Sequence, residues 1–180
     1  MRIIAGTHGG RRIVAPRGTR TRPTADRVRE ALFSMLGPLD GASVLDLFAG
    51  SGALGLEALS RGARRCVFCD TDPAALRAVR ENLATLALAE AVVFQRDGVA
   101  LLREEGRAGR RHELVLLDPP YECWAELEPQ LGEALTAVLA AGAVVVVETD
   151  ARVTPALPLA MRTSRRYGSA RLTLFEPPQP

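Results

Sequence analysis

The spacing of apolar and polar positions changes character near residue 40. Before it, two short segments, Arg2-Ile3-Ile4-Ala5 and Arg11-Arg12-Ile13-Val14, flank Thr7-His8-Gly9-Gly10, which predicts a hairpin. An irregular Arg/Thr/Pro stretch runs from Pro16 to Pro23. Thr24 can then cap a helix, on which Val28, Leu32, Met35 and Leu36 share one face. Arg27, Arg29 and Glu30 are expected to point elsewhere, and Gly37-Pro38 ends the helix.

From Ala42 onward, strand-like and helix-like patterns alternate. Ser43 to Phe48, Arg65 to Asp70, Ala91 to Gln95 and Leu114 to Leu117 read as strands. Leu54 to Leu59 reads as a helix stopped by Arg61-Gly62. Asp72-Pro73 is an N-cap and first-turn pair for a helix buried through Leu76, Val79, Leu83 and Leu86. Arg103 to Glu113 reads as a polar loop, and Leu127 to Leu139 as helix. Ala143 to Val147 is a continuous apolar run, as expected of a strand covered on both faces. Met161 to Tyr167 and Arg171 to Phe175 make a closing hairpin around Gly168-Ser169. The pattern predicts an open α/β sheet with parallel early strands over 41–180, preceded by an appendage over 1–40. The proline-rich tail, 177–180, is expected to fray.

Composition adds limits. The chain has 180 residues, 47% of them hydrophobic, which suits one globular domain with a small extension. No apolar run is long enough to span a bilayer and no signal-peptide core follows Met1, so a cytoplasmic monomer without membrane contact is expected. Cys66-Val67-Phe68-Cys69 spells a C-x-x-C, but it lies in an apolar strand and reads as buried thiols. Cys123, His8 and His112 lack ligand spacing, so no metal is expected.

Charge is more informative. The net charge of +2 conceals eight arginines within residues 1–30, set against only Asp26 and Glu30. That block, with Arg11, Arg12, Arg20, Arg22, Arg27 and Arg29, reads as a footprint for nucleic acid. Arg162, Arg165, Arg166 and Arg171 read as solvated surface. All basic residues are arginine and Asn82 is the single asparagine; a GC-rich genome and a hot habitat both produce that bias.

Two short motifs carry the chemistry. Gly50-Ser51-Gly52-Ala53-Leu54-Gly55 matches G-x-G-x-x-G, which invites a nicotinamide or flavin reading. Asp46, four positions earlier, opposes it. A carboxylate there repels a pyrophosphate but suits the sulfonium and ammonium of S-adenosylmethionine. Asp46, Phe48, Ala49, Gly50 and Gly52 are therefore expected to hold that cofactor. Asp70, at the end of the second strand, is placed for ribose hydroxyls under either reading. Asp97 before Gly98 reads equally as an adenine contact and as a turn.

The second motif is Asp118-Pro119-Pro120-Tyr121. Asp118 and the carbonyl of Pro119 can accept hydrogen bonds from an exocyclic amine whose lone pair is otherwise conjugated. The prolines stiffen the loop and Tyr121 can stack on a base. An isolated copy would read as a strand-ending turn. After a fourth parallel strand it reads as catalytic, because ligands bind at that sheet edge. Trp124 reads as packing or a lid.

Several runs together carry a resemblance: Arg2-Ile3-Ile4-Ala5-Gly6, Gly10-Arg11-Arg12, the stretch from Arg22-Pro23-Thr24 to Ala31-Leu32-Phe33, the stretch from Asp46 to Gly62, and Asp118 to Tyr121. On these the chain resembles the RsmD family of bacterial 16S rRNA (guanine-N2)-methyltransferases. The resemblance implies a class I S-adenosylmethionine-dependent methyltransferase fold, Rossmann-like, with a seven-stranded, mostly parallel sheet in the order 3-2-1-4-5-7-6. It implies an N-terminal extension that holds RNA and modification of one guanine in assembling small ribosomal subunits, guanine 966 in the family. It puts Asp46, Gly50 and Gly52 at the cofactor, Asp70 at its ribose, and Asp118 and Tyr121 at the guanine. Cys123 and Trp124 fall outside its pattern. A DNA adenine-N6 methyltransferase and a non-catalytic RNA-binding assembly factor stay open as alternatives.

Overall fold

A computed structural model describes residues 1–16 and 26–178. Seven strands among the described residues form one sheet: β1 (Ser43–Asp46), β2 (Arg65–Asp70), β3 (Ala91–Gln95), β4 (His112–Leu117), β5 (Leu139–Asp150), β6 (Ala160–Tyr167) and β7 (Ala170–Glu176). Their order is β3-β2-β1-β4-β5-β7-β6, the order the resemblance implies for a class I methyltransferase fold. β1 to β5 run parallel, with Val44 facing Cys66 on one side and Leu114 on the other. β7 returns antiparallel beside β5, and β6 closes the edge against β7.

Alternation along the strands feeds two cores. Val44, Leu114, Leu116 and Val146 face one side, where they meet α1 (Asp26–Leu36), α2 (Ala53–Ser60) and α3 (Pro73–Leu86). Leu45, Val67, Val115, Val145 and Val147 face the other, against α4 (Gly98–Arg107) and α5 (Trp124–Leu135). Cys66 and Cys69 are both buried in β2, one toward each core. Trp124 packs into the second core.

Helix α4 corrects the sequence reading, which treated Arg103 to Glu113 as loop. The charged letters of its second half mask an amphipathic helix: Val99, Leu101 and Leu102 are buried. Asp97 caps it, its Oδ1 accepting from the Ala100 N–H at 2.8 Å. Glu105 is buried too, because Arg110 (2.7 Å) and His112 (3.1 Å) meet its carboxylate. His112 Nδ1 in turn meets Ser43 Oγ at 3.0 Å. This buried Ser43–His112–Glu105 chain ties α4 to the amino ends of β1 and β4. Burial lowers the pKa of His112 below its usual 6.5, so the imidazole is neutral at neutral pH.

The appendage begins as the expected hairpin. Ile3 N–H donates to Arg11 O (2.9 Å) and Gly10 N–H to Ile3 O (2.9 Å), with one ladder bridge between Arg2 and Arg12. It is clamped to α2 by a buried carboxylate. Glu57 accepts from the Ile4 (2.7 Å) and Ala5 (3.0 Å) amides and from Arg61 Nε (2.7 Å). Ser60 Oγ donates to Ala5 O (2.6 Å) and accepts from the His8 amide (3.0 Å). The approach is so close that a Cβ on Gly6, whose φ is +82°, would lie 1.8 Å from Ser60 O. Ile3 and Ile13 enter the first core.

Candidate active site

The site is built where β1, β2, β4 and β5 end. β1 closes on Asp46, whose side chain is 1% exposed. Its Oδ2 accepts from the Gly55 N–H at 3.1 Å, while Oδ1 has no hydrogen-bond partner among the described residues. Burial pushes its pKa up to about 7; the Gly55 bond opposes that shift and the nearby Asp70 charge adds to it. A buried acid left half-satisfied beside a turn is costly to the fold, and such groups cluster at functional sites.

The turn after Asp46 is shaped by two glycines in the left-handed region, Gly50 (φ +52°) and Gly52 (φ +78°). Gly50 faces open space. A Cβ on Gly52 would press on Val79 Cγ2 at 3.1 Å. Ala49 N–H donates to Cys69 O at 2.9 Å, which lashes the turn to β2. Phe48 packs toward the second core, and Gly98 allows this: a Cβ there would stand 3.1 Å from the Phe48 ring.

Asp70, at the end of β2, accepts from the Gly50 N–H at 2.8 Å and from the Asp72 N–H at 2.9 Å. It holds the turn and faces the same edge as Asp46. Asp72 caps α3 through the Ala74 N–H at 2.7 Å, the structural role expected from the following proline. Asp97 caps α4 through Oδ1, as described above.

Asp118 follows directly after β4, whose Leu116 pairs with Asp46. The Asp118–Tyr121 loop and the Asp46–Gly52 turn therefore leave neighbouring strands at one edge. Pro119 is buried and Asp118 and Tyr121 are half-buried. The chain then tightens into a short 3-10 turn, Tyr121–Cys123, with Cys123 N–H donating to Pro120 O at 2.9 Å. Tyr121 Oη donates to Glu148 Oε1 at 3.0 Å. Glu148, 7% exposed near the carboxyl end of β5, was not singled out from the sequence. Its signal was there, in an acid that closes the valine run of a central strand.

The arginine footprint divides. Arg11, Arg12 and Arg27 are exposed, and Arg11 Nη2 also donates to Thr85 O at 2.8 Å. Arg20, Arg22 and the Thr24 cap lie outside the described residues. Arg29 is a correction: expected to face outward toward RNA, it is fully buried. Its guanidinium donates to Asp26 Oδ1 (3.0 Å), to the Arg2 carbonyl and to Met1 Sδ (3.7 Å). Burial lowers its pKa, against the attraction of Asp26 and Glu57. It pins the hairpin to α1 and is not presented to a phosphate.

Comparison with known proteins shows the family. A family model described as conserved hypothetical protein 95 matches residues 1–176. YlbH of Bacillus subtilis is 47% identical over 124 residues, which cover 68% of this chain and 67% of YlbH. Ribosomal RNA small subunit methyltransferase D of Escherichia coli is 43% identical over 122 residues, 67% of this chain but only 60% of that protein's length. The solved structure of a hypothetical protein from Thermus thermophilus superposes with a TM-score of 0.83 at 34% identity, over 98% of this chain and 99% of that one. With hairpin, Asp46–Gly52 turn and Asp118–Tyr121 loop all inside the matched span, the chain belongs to the conserved hypothetical protein 95 family, and its homologues include proteins named ribosomal RNA small subunit methyltransferase D.

Proposed function

We propose that this protein transfers a methyl group from S-adenosylmethionine to the exocyclic N2 of a guanine in 16S rRNA, with guanine 966 as the target the family resemblance implies. It acts as a cytoplasmic monomer on free 16S rRNA or on the assembling small subunit. The observation that carries this reading is the meeting of two loops at one sheet edge. An acidic, glycine-opened turn leaves β1, and the Asp118-Pro119-Pro120-Tyr121 grip leaves the adjacent β4.

The residues fit the methyl donor. Asp46 keeps one buried oxygen without a partner among the described residues, Gly50 opens onto free space, and Asp70 supplies a second carboxylate. This acidic rim attracts a sulfonium and an ammonium and would repel a pyrophosphate. Asp46, Phe48, Ala49, Gly50 and Gly52 would hold the donor, Asp70 its ribose and Asp97 its adenine. When bound, S-adenosylmethionine supplies an electrophilic methyl carbon. Asp118 and the Pro119 carbonyl accept hydrogen bonds from the guanine amine and draw its lone pair out of conjugation. Tyr121 stacks on the splayed base, worth ~1–3 kcal/mol, and its bond to Glu148 sets the tilt of the ring. Alignment of nitrogen and methyl supplies much of the remaining rate enhancement. Arg11, Arg12 and Arg27, with Arg20 and Arg22, contact RNA phosphates.

The test is methyl transfer from a tritiated donor to unmodified 16S rRNA, to small-subunit particles and to duplex DNA. Label in rRNA guanine N2 is the expected result. Label confined to DNA adenine, or no transfer to any substrate, overturns the reading.

A further inference from the structure

The hairpin meets the cofactor turn at one side chain. Asn82, on α3, is 2% exposed. Its Oδ1 accepts from the Val14 N–H at 2.7 Å, and its Nδ2 donates to Val14 O at 3.0 Å and to Ser51 O at 3.0 Å. One N–H and two carbonyls face the amide, so only one orientation of it satisfies all three. Toward Val14 the amide behaves as a neighbouring strand would, taking both backbone groups of one residue. Toward Ser51 it reaches the middle of the cofactor turn, between the two glycines of positive φ. The neighbouring Gly50 N–H donates to Asp70. A continuous series of contacts thus runs from the end of the hairpin, through Asn82, to the carboxylate expected at the ribose.

The other attachments of the hairpin differ. Glu57 and Ser60 hold it to the second half of α2, away from the turn. Arg11 reaches Thr85, one turn of α3 beyond Asn82. Among the described residues, Asn82 is the side chain that hydrogen-bonds both the hairpin and the turn.

We propose that Asn82 is a positioning residue that couples the N-terminal hairpin to the cofactor turn, so that RNA on the arginine-bearing arm and methyl donor in the turn each tighten the binding of the other. This rests on the proposed function above. The physical basis is shared ordering: a ligand that fixes Ser51 also fixes Asn82, and Asn82 then presents a finished partner to Val14. Linkage makes the effect reciprocal.

The experiment is a thermodynamic cycle with S-adenosylhomocysteine and unmethylated small-subunit particles as probes. Affinity for each is measured alone and with the other saturating. The wild type is expected to show coupling of about fivefold or more. Asn82→Ala removes both sides of the link, and Val14→Pro, which also fixes the local backbone, removes the N–H that donates to Asn82 Oδ1 without touching the Asn82–Ser51 bond. Each is expected to cut the coupling to under about twofold. Ser60→Ala, which loses hairpin bonds remote from the turn, lowers the melting temperature but keeps the coupling. A wild type without coupling, or an Asn82→Ala or Val14→Pro protein that keeps it, overturns the inference. A Ser60→Ala protein that loses coupling as fully as Asn82→Ala overturns it as well, since general loosening would then explain the effect. Should Asn82→Ala fail to fold, Val14→Pro alone decides. Absence of methyl transfer by the wild type both to these particles and to free 16S rRNA would instead overturn the proposed function.

Discussion

The two ends of the parallel strands both bury polar side chains, and they do so differently. At the amino end, Ser43, His112 and Glu105 are almost fully buried, and each meets the next within 3.1 Å. On letters alone this is a serine–histidine–glutamate chain, but it is buried and its polar atoms are spent on one another and on Arg110. At the carboxyl end, Asp46 is equally buried yet keeps an oxygen with no partner among the described residues, beside an open turn. Buried polar groups normally find partners, and a group that has not done so marks a place where a ligand can supply one. Between these two strand ends, the polarity of the amino end is satisfied and that of Asp46 at the carboxyl end is left open.

The sharpest way to break this comparison is at the grip. Asp118→Ala should lower methyl transfer by about 100- to 1000-fold with little change in melting temperature, read by labelled-methyl kinetics beside thermal unfolding. The reverse pattern, lost stability with retained turnover per folded molecule, would move Asp118 into the scaffold. At the amino end, His112→Ala should cost ~3 kcal/mol, because it leaves a buried Glu105 oxygen without its donor and the Ser43 hydroxyl without its acceptor. Denaturant titration measures that loss, and kcat of the folded fraction should stay within about twofold, as expected for a site at the far strand end.

Acid should act on the carboxyl end through Asp46. Its folded pKa is raised to about 7, so the native state holds this proton more tightly than the unfolded chain. This group's contribution to stability is therefore greatest at low pH and declines as pH rises from about 4 to about 7. A cationic ligand reverses the preference by favouring the carboxylate. Affinity for S-adenosylmethionine should thus fall by up to about fivefold between pH 7 and pH 6, and calorimetry on Asp46→Asn should find that dependence flattened. The smallest effect belongs to the tether. Tyr121→Phe keeps the ring and loses the bond to Glu148 at 3.0 Å. An increase in KM of about fivefold is expected, the size of one modest hydrogen bond. An unchanged KM would leave Glu148 without a part in base binding.

The elements that read correctly did so through local signals. Val67 and Phe68 alternate between the two cores, Asp72-Pro73 caps its helix by direct contact, and Gly50 and Gly52 have the positive φ that a tight turn demands. Such signals act over a few residues, so a linear reading captures them. Helix α4 escaped because its buried Glu105 counts as polar until Arg110 and His112 are seen beside it.

The sequence by itself determined the alternation of strand and helix, the acidic glycine turn, the Asp118-Pro119-Pro120-Tyr121 loop and the family. Tertiary structure alone decided the destinations of long-range side chains. Arg29 turned inward to Arg2, Glu57 clasped the amides of Ile4 and Ala5, Glu148 took the Tyr121 hydroxyl, and Asn82 joined Val14 to Ser51. The reason is physical. A buried charge or amide goes wherever packing offers it partners, and those partners are dozens of residues away along the chain.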